Sequence, residues 1–322
     1  MVYLRKTDHI GNVQLNGRIL LSPMAGYTDV AFRTLCARYG AGLVVTEFIS
    51  SNTIVNADLT TLRQVQTSSE EKPLAFQLFG NDIDLILKAS KIIETKCDLI
   101  NINMGCPAPN IVQQGSGSAM LENPELIGNI IKKLVDNLSV PVTIKIRAGV
   151  SKENINAVAI AKIAEKNGCA AICIHPRTQQ QGYKGDADWD IIRQIKDAVT
   201  IPIIGNGGVI DELTAEKMFQ ETNCDFIMIG RAALGDPMIF KRINHYLETK
   251  VIIKQTPEEI MREKITLFLE YYDLWKQFNL PFIVLKEHSL CFTSGFSGAA
   301  TIRGAISKIK DEVELIHYFN QL

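Results

Sequence analysis

The sequence predicts an α/β fold, a (β/α)8 or TIM barrel followed by a small C-terminal helical domain. Two observations support this prediction. Short apolar runs of β type recur eight times along the chain, and stretches with helical periodicity lie between them. Each run also ends in residues suited to binding, such as PMAG, QLFG, NMGCP, KIRAG and HPRT. Barrels carry their chemistry at the C-terminal ends of their strands, so these endings favour a barrel over an open doubly wound sheet, which the repeat alone leaves as an alternative.

The predicted elements follow in chain order. Strands are predicted at residues 19–24, 42–48, 74–79, 99–104, 142–147, 171–175, 201–206 and 226–230. Amphipathic helices are predicted at 30–39, 83–95, 124–137, 155–167 and 213–221. Before the first strand, the segment HIGNVQLNG indicates a hairpin with an Asn-Gly turn that closes the floor of the barrel.

The tail changes character after about residue 249. Helical runs span 257–278, 282–292 and 299–309. The first run is preceded by Thr256 and begins with Pro257, Glu258 and Glu259, which supply an N-cap, a first-turn proline and acids that match the helix dipole. We therefore expect a barrel domain at 1–248 and a helical domain at 249–322.

The composition excludes several classes of protein. With 322 residues, 46% of them hydrophobic and 21% charged, the chain is suited to a large core and not to disorder. No apolar run approaches the ~18 residues of a membrane span, and charges interrupt the N-terminus where a secretory signal needs an apolar centre. We therefore expect a cytoplasmic protein.

The seven cysteines lack CxxC or Cys/His ligand spacing, which indicates reduced thiols and no metal site. The net charge of −1 gives no support for a nucleic-acid partner, which has to be inferred locally.

Two cations share one face of the fifth predicted strand. Alternation places Thr143, Lys145 and Arg147 together on the face that points into a barrel. An unpaired cation there is costly, so a partner is required. Glu47 is the main carboxylate candidate, and a bound anion is favoured because acids are few near the strand ends. The same alternation turns His175 toward the cavity, where it is either a structural hydrogen-bonding group or a ligand contact.

Glycine-rich motifs follow the last two predicted strands. Gly205-Asn206-Gly207-Gly208 and Gly230-Arg231 stand where barrels commonly bind phosphate through backbone amides. Either motif alone fits an ordinary turn equally well, and the inward cations favour phosphate. A Rossmann fingerprint is not found, because Met120 replaces the third glycine after Gly115 and Gly117.

A thiol follows the fourth predicted strand in the loop Asn103-Met104-Gly105-Cys106-Pro107. A cysteine is often a small buried apolar residue. In a loop facing the mouth, Cys106 is alternatively a proton donor, since a thiol stays mostly protonated at neutral pH.

The sequence resembles the tRNA-dihydrouridine synthases, flavoenzymes that reduce a uridine of tRNA. The matching segments run in family order and are LSPMAGYTDVAFR, TEFISS, FQLFG, ININMGCPAPNIVQQGSGSAML, VTIKIRAG, IHPRTQQQGYKGDADW, IPIIGNGGV, MIGRAAL and, in the tail, LKEHSLCFTSGFSGAATIRGAI. The resemblance implies a catalytic barrel at 1–248 and a tRNA-binding tail at 249–322. It also implies FMN, reduced by NADPH or NADH, which passes hydride to C6 of a flipped-out uracil. We expect a monomer without metal or membrane partners.

The resemblance implies a role for particular residues. Cys106 is the implied proton donor to uracil C5. The residues implied to hold FMN are Pro23, Met24 and Ala25 beneath the ring, Gln77 at its edge, Lys145 near N1 and O2, His175 near the phosphate, and Asn206, Gly207, Gly208, Gly230 and Arg231 around the phosphate. The residues implied to hold uracil are Asn103, Arg147, Arg177 and Tyr183.

The chain departs from the family pattern in two places. Gln113 and Gln114 stand where many members have a lysine pair, and Gly208 stands where an acid is frequent.

Residues 251–322 hold eight Lys or Arg against nine Asp or Glu, so the tail is not basic. A patch of Arg177, Lys184, Lys286 and Arg303 is then the predicted RNA contact, with salt-sensitive affinity. The alternatives are an FMN-dependent reductase of a small unsaturated substrate and a non-catalytic tRNA-binding factor.

Overall fold

The computed structural model describes residues 7–57 and 63–322 and confirms the predicted barrel. Its strands are β1 (Ile19–Leu21), β2 (Val44–Ser50), β3 (Leu74–Phe79), β4 (Leu99–Met104), β5 (Val142–Arg147), β6 (Ala171–His175), β7 (Ile203–Asn206) and β8 (Phe226–Ile229). Parallel pairing runs in chain order from β2 to β8, and β8 pairs with β1. Residues 1–6, where the charged N-terminal stretch begins, lie outside the described ranges.

Backbone hydrogen bonds close the remaining edge between β1 and the start of β2. The Gly42 amide donates to the Ile19 carbonyl at 2.8 Å, and the Leu21 amide donates to the Leu43 carbonyl at 2.9 Å. Each edge of the sheet is therefore satisfied within the chain, which an open sheet does not achieve.

Helices alternate with the strands and then form the tail. The α-helices in the described ranges are α1 (Val30–Arg38), α2 (Ser51–Val55), α3 (Ile83–Ile93), α4 (Pro109–Val112), α5 (Pro124–Val135), α6 (Ala157–Lys166), α7 (Trp189–Ala198), α8 (Glu212–Thr222), α9 (Ile239–Thr249), α10 (Pro257–Gln277), α11 (Phe282–Phe292), α12 (Ala299–Lys308) and α13 (Glu312–Phe319). Short 3₁₀ turns occupy Glu94–Lys96, Gly117–Glu122 and Arg231–Ala233. None of the helices in these ranges combines the length and apolar composition that a membrane crossing requires.

Prolines shorten two of the predicted strands. The first was expected to reach residue 24 but ends at Leu21, because Pro23 lacks an amide hydrogen and the chain then turns, with the Tyr27 amide donating to the Met24 carbonyl at 3.0 Å. The seventh was expected from residue 201 but begins at Ile203, after Pro202.

The predicted hairpin is confirmed, and the position of its turn was wrong. His9–Ile10 pairs with Val13–Gln14, so the turn lies at residues 11–12, and Gly11 has φ of +58°. Asn16 instead ties the next segment to the barrel, because its amide donates to the Gly42 carbonyl at 3.0 Å. Buried Ile10 and Leu15 pack into the barrel interior, so the hairpin forms the floor.

Alternation along the strands divides the core into two layers. Inward residues such as Leu20, Val45 and Phe226 fill the lower barrel. Outward residues such as Ile144 and Ile172 pack against the surrounding helices. This leaves the upper ends of the inward faces for polar side chains.

The tail helices pack against the first helix of the barrel through buried polar contacts. The Asp29 carboxylate, which caps α1 by accepting from the Phe32 amide, also accepts from the Tyr271 hydroxyl at 3.1 Å and lies 3.0 Å from His288 Nε2. Close approach is also required at Gly235, where a Cβ would lie 2.2 Å from the Cys291 carbonyl oxygen. The division into functional domains at 1–248 and 249–322 stays a prediction.

We predict that Gly42→Ala destabilises the barrel closure. A Cβ at Gly42 would lie 2.2 Å from the Gly17 carbonyl oxygen, and overpacking of backbone costs about 3 kcal/mol. Gly304→Ala in α12 is the matched control, because its Cβ would meet nothing within 4 Å and alanine favours a helix. Chemical denaturation measures both variants. Equal stability of the two would contradict the closure described here.

Candidate active site

The C-terminal ends of the strands surround a cavity of about 910 Å³. All sixteen residues to which the family resemblance gives a role line this cavity: Pro23, Met24, Ala25, Gln77, Asn103, Cys106, Lys145, Arg147, His175, Arg177, Tyr183, Asn206, Gly207, Gly208, Gly230 and Arg231. They come from seven strand ends that lie far apart in sequence, and the barrel brings them together. Their individual roles stay predictions.

Lys145 projects from the middle of β5 into the cavity, as its alternation predicts. Its ammonium group donates to Asn206 Oδ1 at 2.9 Å, and Asn206 is held in turn by donating to the Met228 carbonyl at 2.8 Å. Burial lowers the pKa of Lys145. A negative charge brought close to Lys145 would oppose this effect and stabilise the ammonium form.

The nearby guanidinium groups are held by backbone carbonyls. Arg147 donates to the carbonyls of Gly105 at 2.8 Å, Thr178 at 2.9 Å and Gly182 at 2.8 Å. Arg177 donates to the Gly185 carbonyl at 2.8 Å. Burial lowers the pKa of both arginines. Carbonyls orient these cations but leave their charge unbalanced.

No carboxylate in the described ranges forms a salt bridge with Lys145, Arg147, Arg177 or Arg231. Glu47, the carboxylate alternative named above, instead accepts from the Gly26 amide at 2.7 Å, and burial raises its pKa. The alternative that Glu47 is the carboxylate partner of Lys145 and Arg147 is therefore wrong. The arrangement favours an anionic ligand.

His175 is a neutral member of this cationic cluster. Burial, together with the charges of Lys145, Arg147, Arg177 and Arg231, lowers the pKa of His175 to about 2. Its Nε2 lies 3.1 Å from Arg177 Nη1, so the neutral ring can accept from the guanidinium. Sequence alone left the protonation state of this histidine open.

Backbone approaches the cluster closely at the glycine pair after β7. Gly207 has φ of +106°, and a Cβ there would lie 2.8 Å from the His175 ring. Gly208 has φ of +85°, and the Trp189 indole fixes the turn by donating to the Gly207 carbonyl at 2.9 Å. Glycine at 207 is thus required both by conformation and by space.

The Cys106 loop is anchored at several points. Asn103 Oδ1 accepts from the amides of Gly105 at 3.1 Å and Cys106 at 2.9 Å. The Cys106 carbonyl accepts from the Ser118 hydroxyl at 2.9 Å. Cys106 is partly exposed, whereas five of the other six cysteines are buried and the sixth, Cys291, lies in α11. Cys106 is therefore a partly exposed residue at the cavity, in a loop whose backbone is held by hydrogen bonds.

Tyr183 lies at the cavity mouth between two cations. Its side chain is 60% exposed, and its ring centroid lies 4.8 Å from the Arg231 guanidinium and 5.7 Å from that of Arg147. These distances allow cation–π contact. The ring is in a position to cover a ligand held in the cavity.

Sequence reasoning missed apolar residues that also line the cavity, among them Tyr27, Phe48 and Ile210. Strict alternation would turn Phe48 outward, but the register between β2 and β3 shifts between Val45 and Phe48. A bulge of this kind redirects a side chain and leaves no signal in a single sequence. Tyr27 stood within a recognised motif and was not assigned a role.

The residues of the predicted RNA patch differ in their contacts and exposure, and the patch stays a prediction. Lys286 donates to the carbonyls of Ser307 and Ile309, both at 2.8 Å, and so ties down the end of α12. Arg177 is buried in the cavity wall. Lys184 and Arg303 are exposed, as are Gln113 and Gln114.

Comparison with known proteins gives matches along nearly the whole chain. Residues 20–321 match the dihydrouridine synthase family model. The chain is 38% identical over 321 residues to tRNA-dihydrouridine synthase B of Pectobacterium carotovorum, covering 98% of this chain and 99% of that one. It is 41% identical over 290 residues to the enzyme of the same name from Proteus vulgaris, covering 87% and 90%. Among solved structures, histamine dehydrogenase from Rhizobium sp. 4-9 matches with a TM-score of 0.59 at 14% identity over 82% of this chain. The match spans about half (51%) of that longer protein, and it shows the fold alone.

We predict that His175 stays neutral between pH 5 and 8 in ligand-free protein. A folded-state pKa of about 2, below the ordinary 6.5, means that the unfolded chain binds the proton more readily. The ring's contribution to stability is therefore complete above pH 6.5 and is lost as the pH falls toward 2. NMR of the ring carbons, assigned by comparison with His175→Asn, should show no titration in this range. A midpoint between pH 5 and 8 would show that burial and the cationic surroundings do not lower the pKa of His175 as described.

Proposed function

Because the chain belongs to the dihydrouridine synthase family, we propose that it is a tRNA-dihydrouridine synthase that reduces the C5–C6 bond of a uridine in tRNA. The main support is that the sixteen residues with an implied role all line one cavity. The family match covers both the barrel and the tail. A reductase of a small substrate would not need the tail. We expect a cytoplasmic monomer.

The cavity fits FMN in size and in the chemistry of its donors. Its volume of about 910 Å³ lies at the upper end of the range for ligand sites. Cations without carboxylate partners and the close backbone at Gly207 and Gly208 suit an anionic phosphate. When bound, FMN supplies a two-electron redox centre that takes electrons from NADPH or NADH and reduces the uracil ring.

We assign the phosphate to one side of the cavity and the flavin ring to the other. The residues proposed to hold the phosphate are His175, Asn206, Gly207, Gly208, Gly230 and Arg231. The residues proposed to hold the ring are Pro23, Met24, Ala25, Gln77 and Lys145. The buried ammonium of Lys145 would balance negative charge on the ring.

Uracil would enter from the mouth and meet Cys106. A stacked base cannot reach this depth, so the nucleotide has to be flipped out of the tRNA, at a cost of a few kcal/mol. Asn103, Arg147, Arg177 and Tyr183 are the proposed contacts of the flipped base. Cys106 would donate its proton to C5, and the anchored loop would keep the Sγ atom in place for that transfer.

The tail is proposed to place the tRNA over the mouth. Residues 251–322 hold eight basic and nine acidic residues, which give little net attraction to phosphate. Shape and a few exposed cations, such as Lys184 and Arg303, would then determine the docking. Affinity should fall as the salt concentration rises.

The deciding experiment combines FMN-loaded protein, unmodified tRNA and NADPH, with dihydrouridine measured by mass spectrometry. The proposal requires dihydrouridine and matching NADPH consumption. NADPH consumption with a small acceptor but none with tRNA would favour a small-substrate reductase. Binding of tRNA without turnover would favour a non-catalytic factor. Either result would overturn the proposal.

We predict that Cys106→Ala lowers the rate of dihydrouridine formation about 100-fold or more, because general acid catalysis contributes that much. FMN content should stay the same, since the thiol is not assigned to hold the cofactor. Cys291→Ala is the matched control, because Cys291 is also partly exposed but lies in the tail. A normal rate in Cys106→Ala would remove the acid role.

We predict that Lys145→Met weakens FMN binding at least about tenfold, because it removes a buried positive charge beside the proposed ring. Lys162→Met on the exposed face of α6 is the control for loss of a lysine. Flavin fluorescence titration measures the affinity of both. Equal affinities would show that Lys145 does not contact the flavin.

A further inference from the structure

A chain of side-chain hydrogen bonds crosses the interior of the barrel beneath the cavity. Asn103 Nδ2 donates to Gln77 Oε1 at 2.9 Å, Gln77 Nε2 donates to Asn101 Oδ1 at 2.7 Å, and Asn101 Nδ2 donates to Thr143 Oγ1 at 2.8 Å. All four side chains are buried. Strand pairing sets their spacing, because Gln77 lies opposite Asn101 and Asn101 lies opposite Thr143.

The direction of this chain is determined at the Cys106 loop. The amides of Gly105 and Cys106 can only donate, so Asn103 must turn its oxygen toward them. Its nitrogen then faces Gln77, which must accept with its oxygen and donate with its nitrogen to Asn101. The Thr143 hydroxyl ends the chain by accepting from Asn101 and donating to the Ile100 carbonyl at 3.3 Å. One orientation satisfies every member, and a reversed amide would place two donors face to face.

The two ends of the chain differ in what they contact. Gln77 and Asn103 line the cavity, whereas Asn101 and Thr143 do not. Asn101 and Thr143 therefore lie outside the lining, and Asn101 holds Gln77 in the orientation that the loop amides impose. Resemblance to the family gave neither of them a role.

We propose that Asn101 and Thr143 are positioning residues for the Cys106 loop and for the amide groups of Gln77 and Asn103. The catalytic consequence rests on the proposed function, whereas the effect on the loop does not. Loss of these side-chain hydrogen bonds should loosen the Cys106 loop without unfolding it, because Arg147 and Ser118 hold the loop independently.

Four variants test the proposal. Thr143→Val removes the terminal hydroxyl at nearly constant volume, and Thr143→Ser retains it. Asn101→Leu removes the acceptor of Gln77. Ile144 lies on the opposite, outward face of β5. Ile144→Val therefore disturbs the core and leaves the side-chain hydrogen bonds intact.

The first measurement is the rate at which iodoacetamide modifies Cys106 in the intact, FMN-loaded protein, resolved by peptide mass spectrometry. Cys291, the other partly exposed cysteine, is the internal reference. We expect the ratio of rates, Cys106 over Cys291, to rise about fivefold in Thr143→Val and at least as much in Asn101→Leu, the effect of losing about one hydrogen bond. Thr143→Ser and Ile144→Val should stay near the wild type. Ratios in Thr143→Val and Asn101→Leu equal to that of Ile144→Val would overturn the proposal.

The second measurement separates the steps of turnover. In Thr143→Val and Asn101→Leu, oxidation of the reduced flavin by tRNA should slow about tenfold. The Kd for tRNA should be unchanged, because misplacement of catalytic groups affects the chemical step. An unchanged oxidation rate in Thr143→Val would count against positioning of the catalytic groups. If the wild type itself is not oxidised by tRNA, the proposed function fails, and the modification ratios still decide whether Asn101 and Thr143 position the loop.

Discussion

The site depends on one electrostatic constraint: several cations enter a closed barrel, and no carboxylate of the described residues forms a salt bridge with them. Lys145 relies on an amide oxygen, and Arg147 relies on backbone carbonyls. Burial of such charges is costly unless an anion balances them. Burial and the neighbouring positive charges together lower the pKa of His175 and keep its ring neutral. The backbone at Gly207 lies so close to the His175 ring that a Cβ there would come within 2.8 Å of it.

The barrel supplies this arrangement through strand geometry. Period-two alternation sends one set of side chains to the helices and the other set inward. At the lower level the inward residues are apolar and fill the barrel above the hairpin floor. At the next level they are amides and a hydroxyl, Gln77, Asn101 and Thr143, which hydrogen-bond to one another across three strands. Above them lie the charged groups and Cys106. From the floor to the mouth, the layers are therefore apolar packing residues, hydrogen-bonded polar side chains, and the charged groups with Cys106.

The tail joins this barrel through polar contacts as well as apolar ones. Asp29 begins α1 and at the same time receives the Tyr271 hydroxyl from α10. Because α1 follows the β1 loop that lines the cavity, the tail is held in a defined position relative to the mouth. With nearly balanced charges in the tail, this fixed geometry is more important to the proposed docking of tRNA than long-range attraction.

The sequence by itself determined the eight-strand repeat and the inward faces of β5 and β6, because alternation is a local property. The full set of residues that meet at the cavity was implied by the resemblance to the family. The sequence also indicated the hairpin floor, although the turn proved to lie at Gly11. Only the tertiary structure decided which contacts these residues make. The bulge that turns Phe48 inward, the use of Lys286 to hold α12, the rejection of Glu47 as a partner and the direction of the amide chain all depend on groups distant in sequence. Hydrogen bonds and charges act through space, and their partners are set when the barrel closes.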